Sequence, residues 1–256
     1  MMTQTERLHF LISYMLQEQG IDKKIPESFE ERYSMYRGLA NEREARAISQ
    51  EYLHVQDSFL QEENEKNITL FDDLVPVKDN LYLWQGDITH LKIDGIVNAA
   101  NSELLGCFIP NHNCIDNIIH TKAGLQLRLA CKKLMDEQMR KEAVGRAKVT
   151  KAYNLPSNYV IHTVGPVVKN NHVSLMKRDL LQKCYRASLE KAEEYGMTEL
   201  AFCSISTGVF GYPKKEAATA AIEAVRDYID ETKSEIKVVF NVFTDEDYDI
   251  YQELLA

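Results

Sequence analysis

Apolar residues recur every three or four positions through the first 66 residues, which is the spacing typical of amphipathic helices. Three runs carry this pattern, at residues 8–16, 29–39 and 45–60, and Pro26 lies in the break between the first two. No alternating strand pattern interrupts them. We therefore predict a helical N-terminal extension, residues 1–70, that docks on the rest of the chain.

The pattern changes after residue 80, where short apolar runs alternate with amphipathic ones. Predicted strands cover residues 81–85, 95–100, 147–153, 159–164, 199–204 and 236–242. Predicted helices cover residues 123–139, 180–195, 214–232 and 245–255. Such alternation indicates an α/β layered sandwich with a mostly parallel sheet, in which ligands bind beyond the carboxyl ends of the strands. The loops after residues 85, 100 and 204 are therefore the candidates for a site.

The loop after residue 100 carries Cys107, His112 and Cys114 within eight positions. Thiolate and imidazole are preferred zinc ligands, and three protein ligands leave a fourth position open, as in catalytic zinc sites. The residues alone leave a second interpretation open, in which this is a metal-free loop. The remaining cysteines and two histidines are interpreted as packing residues: Cys131, Cys184, Cys203, His120 and His162.

Polar residues follow the other strands. Asp87 either caps a turn or accepts a hydrogen bond from an adenine amino group. Asn98 is interpreted as a turn-forming residue, and Asn101 as one that faces a ligand. Residues 204–211 are rich in Gly, Ser and Thr, so they form either a phosphate cradle or an ordinary strand-to-helix connection.

The amino-acid composition limits the functional classes to which the chain can belong. The net charge of −9 over 256 residues argues against a general nucleic-acid binder. No apolar run approaches the roughly 18–20 residues of a membrane span, and the N-terminus lacks the order of a secretory signal. The five cysteines are odd in number and sparse, which favours thiols over a disulfide framework. We expect a cytoplasmic protein.

Taken together, the motifs resemble the macrodomain family. They are Gly-Asp-Ile-Thr at residues 86–89, Asn-Ala-Ala-Asn at 98–101, a helix start with Ile-His at 115–120, and the Ser-to-Pro segment at 204–213. The resemblance covers about residues 74–256. It implies a three-layer α/β sandwich, with a macrodomain at residues 71–256 behind the helical extension, and a cleft for ADP-ribose.

The resemblance also implies site residues. Asp87 would hold the adenine amino group, Asn101 would meet the distal ribose, and Phe210 would pack against that ribose. Residues 206–209 would wrap the phosphates. The full set implied to contact ADP-ribose is Asp87, Ile88, Asn101, Ile115, Asp116, Asn117, Ser206, Thr207, Gly208, Val209 and Phe210.

One departure from the family pattern is informative. Many hydrolytic macrodomains have a glycine run where this chain has residues 107–114, Cys-Phe-Ile-Pro-Asn-His-Asn-Cys. That loop is similar to the zinc-dependent bacterial branch, which is associated with class M sirtuins that modify a lipoyl-carrier protein. The similarity implies one zinc ion per chain, held by Cys107, His112 and Cys114, with Asn101 and Asp116 as further catalytic residues.

The implied activity is hydrolysis, of the glycosidase type, that removes mono-ADP-ribose from protein side chains. Two alternatives use the same cleft: a non-catalytic ADP-ribose reader, and a deacetylase of O-acetyl-ADP-ribose. The three potential metal ligands favour an enzyme over a reader, because binding alone does not require a Lewis acid.

Overall fold

The computed structural model describes residues 2–256, and its N-terminal part is helical as predicted. The helices are α1 (Gln4–Gln19), α2 (Phe29–Glu42) and α3 (Gln50–Glu65). Each begins at a hydroxyl side chain that accepts a backbone N–H, namely Thr3, Ser28 and Ser49. Helix α1 ends at Gly20, whose φ of +67° suits glycine.

A seven-stranded mixed sheet forms the centre of the remaining chain. Nine strands lie in residues 2–256, and seven of them form this sheet. They are β1 (Thr69–Leu70), β2 (Pro76–Lys78), β3 (Leu81–Gln85), β4 (Leu91–Lys92), β5 (Gly95–Ala99), β6 (Ala147–Lys151), β7 (Tyr159–Thr163), β8 (Glu199–Phe202) and β9 (Lys237–Val242). The sheet order is β2-β3-β9-β8-β5-β7-β6, while β1 and β4 pair separately. The five inner strands are parallel and the two edge strands are antiparallel.

Helices flank this sheet. They are α4 (Ile115–Ala123), α5 (Leu125–Gln138), α6 (Leu175–Glu194), α7 (Lys214–Thr232) and α8 (Asp245–Leu255). Helix α7 packs between α6 and α8, whereas α4 and α5 pack against β5 and β6. The result is the predicted α/β sandwich with a mixed, mostly parallel sheet and a helical N-terminal extension. None of these helices, nor any other in residues 2–256, has the length and apolarity needed to cross a bilayer.

Two main apolar cores lie in residues 2–256, and Ala100, Leu104 and Val164 form a third, minor cluster. The larger one joins the sheet to α4–α8, and its most buried members include Val97, Phe202 and Phe240. The smaller one lies among α1, α2 and α3, and Leu125 of α5 is its only buried member from beyond residue 70. The extension therefore has a core of its own, and it contacts the sandwich mainly through α2 and α3 against α4.

Some predicted boundaries are wrong. Helix α6 begins at Leu175, where the Ser174 side chain caps it, and not at residue 180. The prediction misses this first turn because its exposed residues carry no apolar periodicity. Helix α3 begins at Gln50, not at residue 45. The buried Arg43 guanidinium there binds the carbonyls of Glu44, Arg46 and Ala47, which holds that segment as a loop.

Candidate active site

The three predicted loops leave the same edge of the sheet. Strands β3, β5 and β8 are parallel, so their carboxyl ends meet at one edge, with β9 between β3 and β8. The loops begin at Gly86, Ala100 and Cys203. The candidate residues therefore lie on loops at one edge of the sheet, where open α/β sheets bind ligands, and we call this edge the cleft.

Asp87 caps a short turn and stays available to a ligand. One carboxylate oxygen accepts the Thr89 N–H at 2.9 Å and the Thr89 hydroxyl, and the other lies 3.1 Å from Lys122 Nζ. Burial raises the pKa of Asp87, but Lys122 and the Thr89 hydrogen bonds outweigh it, so the pKa lies below its ordinary value. About 25% of the side chain is exposed, so a charged acceptor remains at the cleft. The role in adenine binding stays a prediction.

Asn98 does not form a turn, so that interpretation is wrong. It lies inside β5, opposite His162 of β7, and is fully buried. Its amide nitrogen donates to Asp116 Oδ1 at 2.8 Å and lies 3.2 Å from His162 Nδ1. Since the amide donates to Nδ1, His162 carries its proton on Nε2, which lies 2.9 Å from the Thr150 hydroxyl. Asn98 thus orients Asp116.

Asp116 lies in the first turn of α4 and is only 5% exposed. Its second carboxylate oxygen accepts from Asn101 Nδ2 at 3.3 Å, and that amide also donates to the Gly106 carbonyl at 3.0 Å. Burial raises the pKa of Asp116 to about 6, although Asn98 and Arg128 oppose the shift. The group is a buried carboxylate at neutral pH, suited to accept a hydrogen bond or a proton.

This arrangement predicts the effect of Asn98→Ala. The change removes the donor to Asp116 Oδ1 and to His162 Nδ1 and leaves these buried atoms unpaired, so the free energy of unfolding should fall by about 1–3 kcal/mol. Urea denaturation with an unchanged m value measures the loss. Asn158→Ala is the control, since Asn158 is exposed and should change stability by less than about 0.5 kcal/mol. Equal stability of the two variants would contradict the role given to Asn98.

Residues 107–114 form what we name the metal loop. Cys107 Sγ lies 3.7 Å from His112 Nδ1, and the ligand atoms of Cys107, His112 and Cys114 all lie within 4.8 Å of one another. All three side chains are half-buried. The loop follows Gly106, which Asn101 binds, and it ends two residues before Asp116. The structure therefore brings the predicted ligands together beside the Asn101–Asp116 pair.

The donor set fits zinc. Tetrahedral zinc, with bonds of about 2.3 Å to sulfur and about 2.0 Å to nitrogen, has donor atoms about 3.5–3.8 Å apart. Burial, with the Cys107 thiol beside it, raises the pKa of Cys114 to about 11, although the Asn117 N–H opposes the shift. Without a metal, Cys114 is therefore a thiol at neutral pH, and a zinc ion would bind it as the thiolate, with release of a proton. Three ligands with an open fourth position remain the predicted zinc site, one ion per chain.

Gly106 lets the metal loop lie directly on His120. Its φ is +82°, and a Cβ there would lie 2.8 Å from His120 Cγ. His120 is buried, and neither ring nitrogen has a hydrogen-bond partner within residues 2–256. Burial holds the pKa of His120 well below its ordinary value, so the ring is neutral. His120 supports the loop by packing, as predicted.

The loop after β8 presents free backbone donors. Ser206 is buried with φ of +69°, a conformation that needs support from the surrounding structure. The N–H groups of Gly211 and Tyr212 donate back into the loop, to the carbonyls of Gly208 and Ser206. The N–H groups of residues 207–210 donate to no acceptor within the described chain. Such donors, just before α7, suit an anion.

The other predicted contact residues differ in exposure. Ile88 is buried, Ile115 and Phe210 are half-buried, and Val209 is 84% exposed. Asn117 is fully buried, and its side chain faces the metal loop. Their contacts with ADP-ribose stay predictions.

Three charged side chains at the site are not predicted from the sequence. They are Arg37 of α2, Arg128 of α5 and Lys122 of α4. Each acts through a contact between residues 23 or more positions apart, which local periodicity does not reveal. The structure also brings together His120, Cys131 and His162 in the core, where His162 is held by Asn98 and Thr150. That cluster fits the predicted packing role.

Comparison with known proteins agrees with the fold. The Macro domain family model matches residues 97–221. A Staphylococcus aureus protein named protein-ADP-ribose hydrolase is 53% identical over 250 residues, which cover 96% of this chain and 94% of that protein. A Treponema medium protein of the same name is 45% identical over the full length of both chains. These alignments include the helical extension.

A solved structure extends the comparison to a ligand. The Trypanosoma brucei macrodomain in complex with ADP-ribose superposes with a TM-score of 0.67 at 28% sequence identity. The match covers 83% of this chain and 93% of that one. The cleft described above thus belongs to a fold whose crystal structures include one with ADP-ribose bound.

Proposed function

This chain belongs to the Macro domain family, and we propose that it is a zinc-dependent hydrolase that removes mono-ADP-ribose from modified protein side chains. One observation carries the proposal. Three zinc-type ligands, Cys107, His112 and Cys114, lie beside the buried Asp116 and Asn101 in the cleft. The names of full-length relatives at 45–53% identity support the hydrolase activity.

The proposed ligand orientation follows the chemistry of the cleft. The adenine lies at Asp87 and Ile88, where a carboxylate faces the cleft beside an apolar side chain. The diphosphate lies on the free N–H groups of residues 207–210. The distal ribose then lies at Asn101 and Asp116, with Ile115 and Phe210 beside it. The ribose carbon that bears the protein side chain therefore faces the metal loop.

Asp116 is the proposed acid–base or orienting group of the reaction. Asn98 and Asn101 hold its two oxygens, so the carboxylate has a fixed direction. It accepts the proton of an attacking water or binds a ribose hydroxyl. General acid–base catalysis of this kind contributes about 10²–10⁴-fold. Zinc, when bound by the metal loop, supplies Lewis acidity that polarises a hydroxyl or lowers the pKa of a bound water.

The proposed partner is a mono-ADP-ribosylated protein. The loop of residues 107–114, together with the helical extension, is similar to the branch associated with class M sirtuins and a lipoyl-carrier protein. We therefore include a lipoyl-carrier protein modified by such a sirtuin among the substrates to be tested. Release of free ADP-ribose from that protein, measured by mass spectrometry, tests this part of the proposal.

One assay separates the proposed function from its alternatives. Zinc-loaded protein is incubated with proteins modified on different side chains and, separately, with O-acetyl-ADP-ribose. The proposal predicts ADP-ribose release from at least one modified protein. Binding without release at any zinc content would identify a reader. Acetate release alone would identify a deacetylase.

A change at the adenine end tests the ligand orientation. Asp87→Ala should weaken ADP-ribose binding by about tenfold or more, because a charge-assisted hydrogen bond contributes about 1.5–3 kcal/mol. Zinc content should not change, since Asp87 lies outside the metal loop. Calorimetry measures the dissociation constant, and Asp72→Ala serves as an exposed control. An unchanged constant would refute the position given to the adenine.

A further inference from the structure

Helix α2 of the extension contacts the metal loop through Arg37. The Arg37 Nη2 atom donates to the His112 carbonyl at 2.7 Å and to Asn117 Oδ1 at 3.0 Å, and Nε donates to the same oxygen at 3.3 Å. Arg37 is half-buried, so these hydrogen bonds are partly shielded from water. A charged donor in such a place makes stronger hydrogen bonds than a neutral one. One side chain of the extension thus holds the backbone of a predicted zinc ligand.

Asn117 connects Arg37 to further residues of the metal loop by hydrogen bonds. Its oxygen is fixed by Arg37, which leaves its amide nitrogen to donate to the carbonyls of Ile109, at 3.0 Å, and Cys107, at 3.4 Å. Asn117 is fully buried. The Arg37–Asn117 pair therefore contacts the backbone of two predicted ligands, Cys107 and His112, and of Ile109 between them.

A further contact holds the same helix to the loop, and Arg128 of α5 links the end of that helix to Leu105, two residues before the loop. The Asn41 side-chain oxygen, in the last turn of α2, accepts the Asn111 N–H at 3.0 Å. That contact supports Asn111 at φ of +55°. The buried Arg128 guanidinium donates to the Leu105 carbonyl at 2.7 Å and to the carbonyls of Ala40 and Asn41 at the end of α2. Helix α2 and the metal loop are thus parts of one hydrogen-bonded unit.

We propose that Arg37 is a positioning residue of the metal site, which holds the loop in its metal-binding shape through His112 and Asn117. This inference rests on the proposed function, because it takes the metal loop to bind zinc. It gives the helical extension a role, because α2 completes the surroundings of a metal site whose ligands all lie beyond residue 100. Groups that orient metal ligands in this way typically change metal affinity by about 10–100-fold.

The experiment measures zinc dissociation from the full-length protein. Zinc-loaded wild type, Arg37→Met and Arg37→Lys are mixed with a chromophoric chelator, and the release of zinc is followed over time. Arg7→Met is the matched control: Arg7 lies in α1 of the same extension and makes three contacts, with Gln4, Ser58 and Glu62, none of them to the loop. The thermal unfolding midpoint of each variant is measured in parallel.

The inference predicts that Arg37→Met releases zinc about tenfold faster or more, while Arg7→Met releases it like the wild type. Arg37→Lys should be intermediate, because an ammonium keeps the charge but not the planar fork of donors. The Arg37→Lys variant also keeps the inference testable if Arg37→Met does not fold. Equal dissociation rates for all four proteins would overturn the inference and leave the proposed function standing. A wild type that binds no zinc would overturn both.

Discussion

Cys114→Ala protein is expected to bind free ADP-ribose within about tenfold of the wild type and to release none from a modified protein. The binding groups proposed for adenine and phosphates, Asp87 and residues 206–210, contain no predicted zinc ligand. The metal loop adjoins only the proposed distal ribose end of the cleft. A group that acts mainly in the transition state changes turnover far more than ground-state affinity.

Two measurements test this separation of binding from catalysis. Calorimetry gives the dissociation constant, for which tenfold corresponds to about 1.4 kcal/mol. Elemental analysis gives the zinc content, which Cys107→Ala and His112→Ala should also abolish. Cys184→Ala is the control, because Cys184 is a buried cysteine of α6, outside the metal loop and the other site loops. If binding, turnover and the melting transition of Cys114→Ala collapse together, zinc holds the shape of the cleft and has no demonstrated part in the chemistry.

Asp116→Asn is expected to lower ADP-ribose release by about 10²–10⁴-fold while zinc stays bound. The amide keeps the shape of the side chain but removes its charge and its ability to take a proton. It also offers one acceptor oxygen where Asn98 and Asn101 each donate to a separate one. Asp116 is not a predicted zinc ligand, so the metal content should match that of the wild type.

Single-turnover release of ADP-ribose from a modified protein measures this effect, with zinc content determined on the same sample. Asp136→Asn is the control, because that carboxylate lies on the exposed surface of α5 and pairs with Lys132. Retained activity in Asp116→Asn would remove Asp116 from the reaction. Loss of both zinc and activity would show that the variant has disturbed the neighbouring metal loop.

The architecture could be predicted because its helices are amphipathic and its inner strands are short apolar runs. Helix α1 shows this well, since its buried residues Leu8, Leu11, Ile12, Met15 and Leu16 are those that repeat at helical spacing. The start of α6 could not be predicted in this way. Leu175 and Met176 are 83% and 66% exposed, so its first turn has apolar residues without an apolar face. Strand β2 is fully exposed and gave no alternating pattern.

The site residues also divide into those that the sequence predicts and those that it does not. Cys107, His112 and Cys114 lie within eight residues of one another, so their proximity could be predicted from the sequence. The turn predicted at Asn98 is wrong because a buried asparagine inside a strand depends on partners from α4 and β7, far along the chain. Arg37 lies 75 residues from His112. Only the packing of α2 on α4 brings Arg37 close to His112.

Zinc titration of metal-free wild-type protein tests the central proposal most directly. Protein stripped of metal is refilled in steps, and zinc content and single-turnover ADP-ribose release are measured on every sample. The proposal predicts no release without zinc, a rise in proportion to bound zinc, and a plateau at about one zinc per chain. Full release by the metal-free protein, or release that does not change with zinc content, would contradict a zinc-dependent hydrolase.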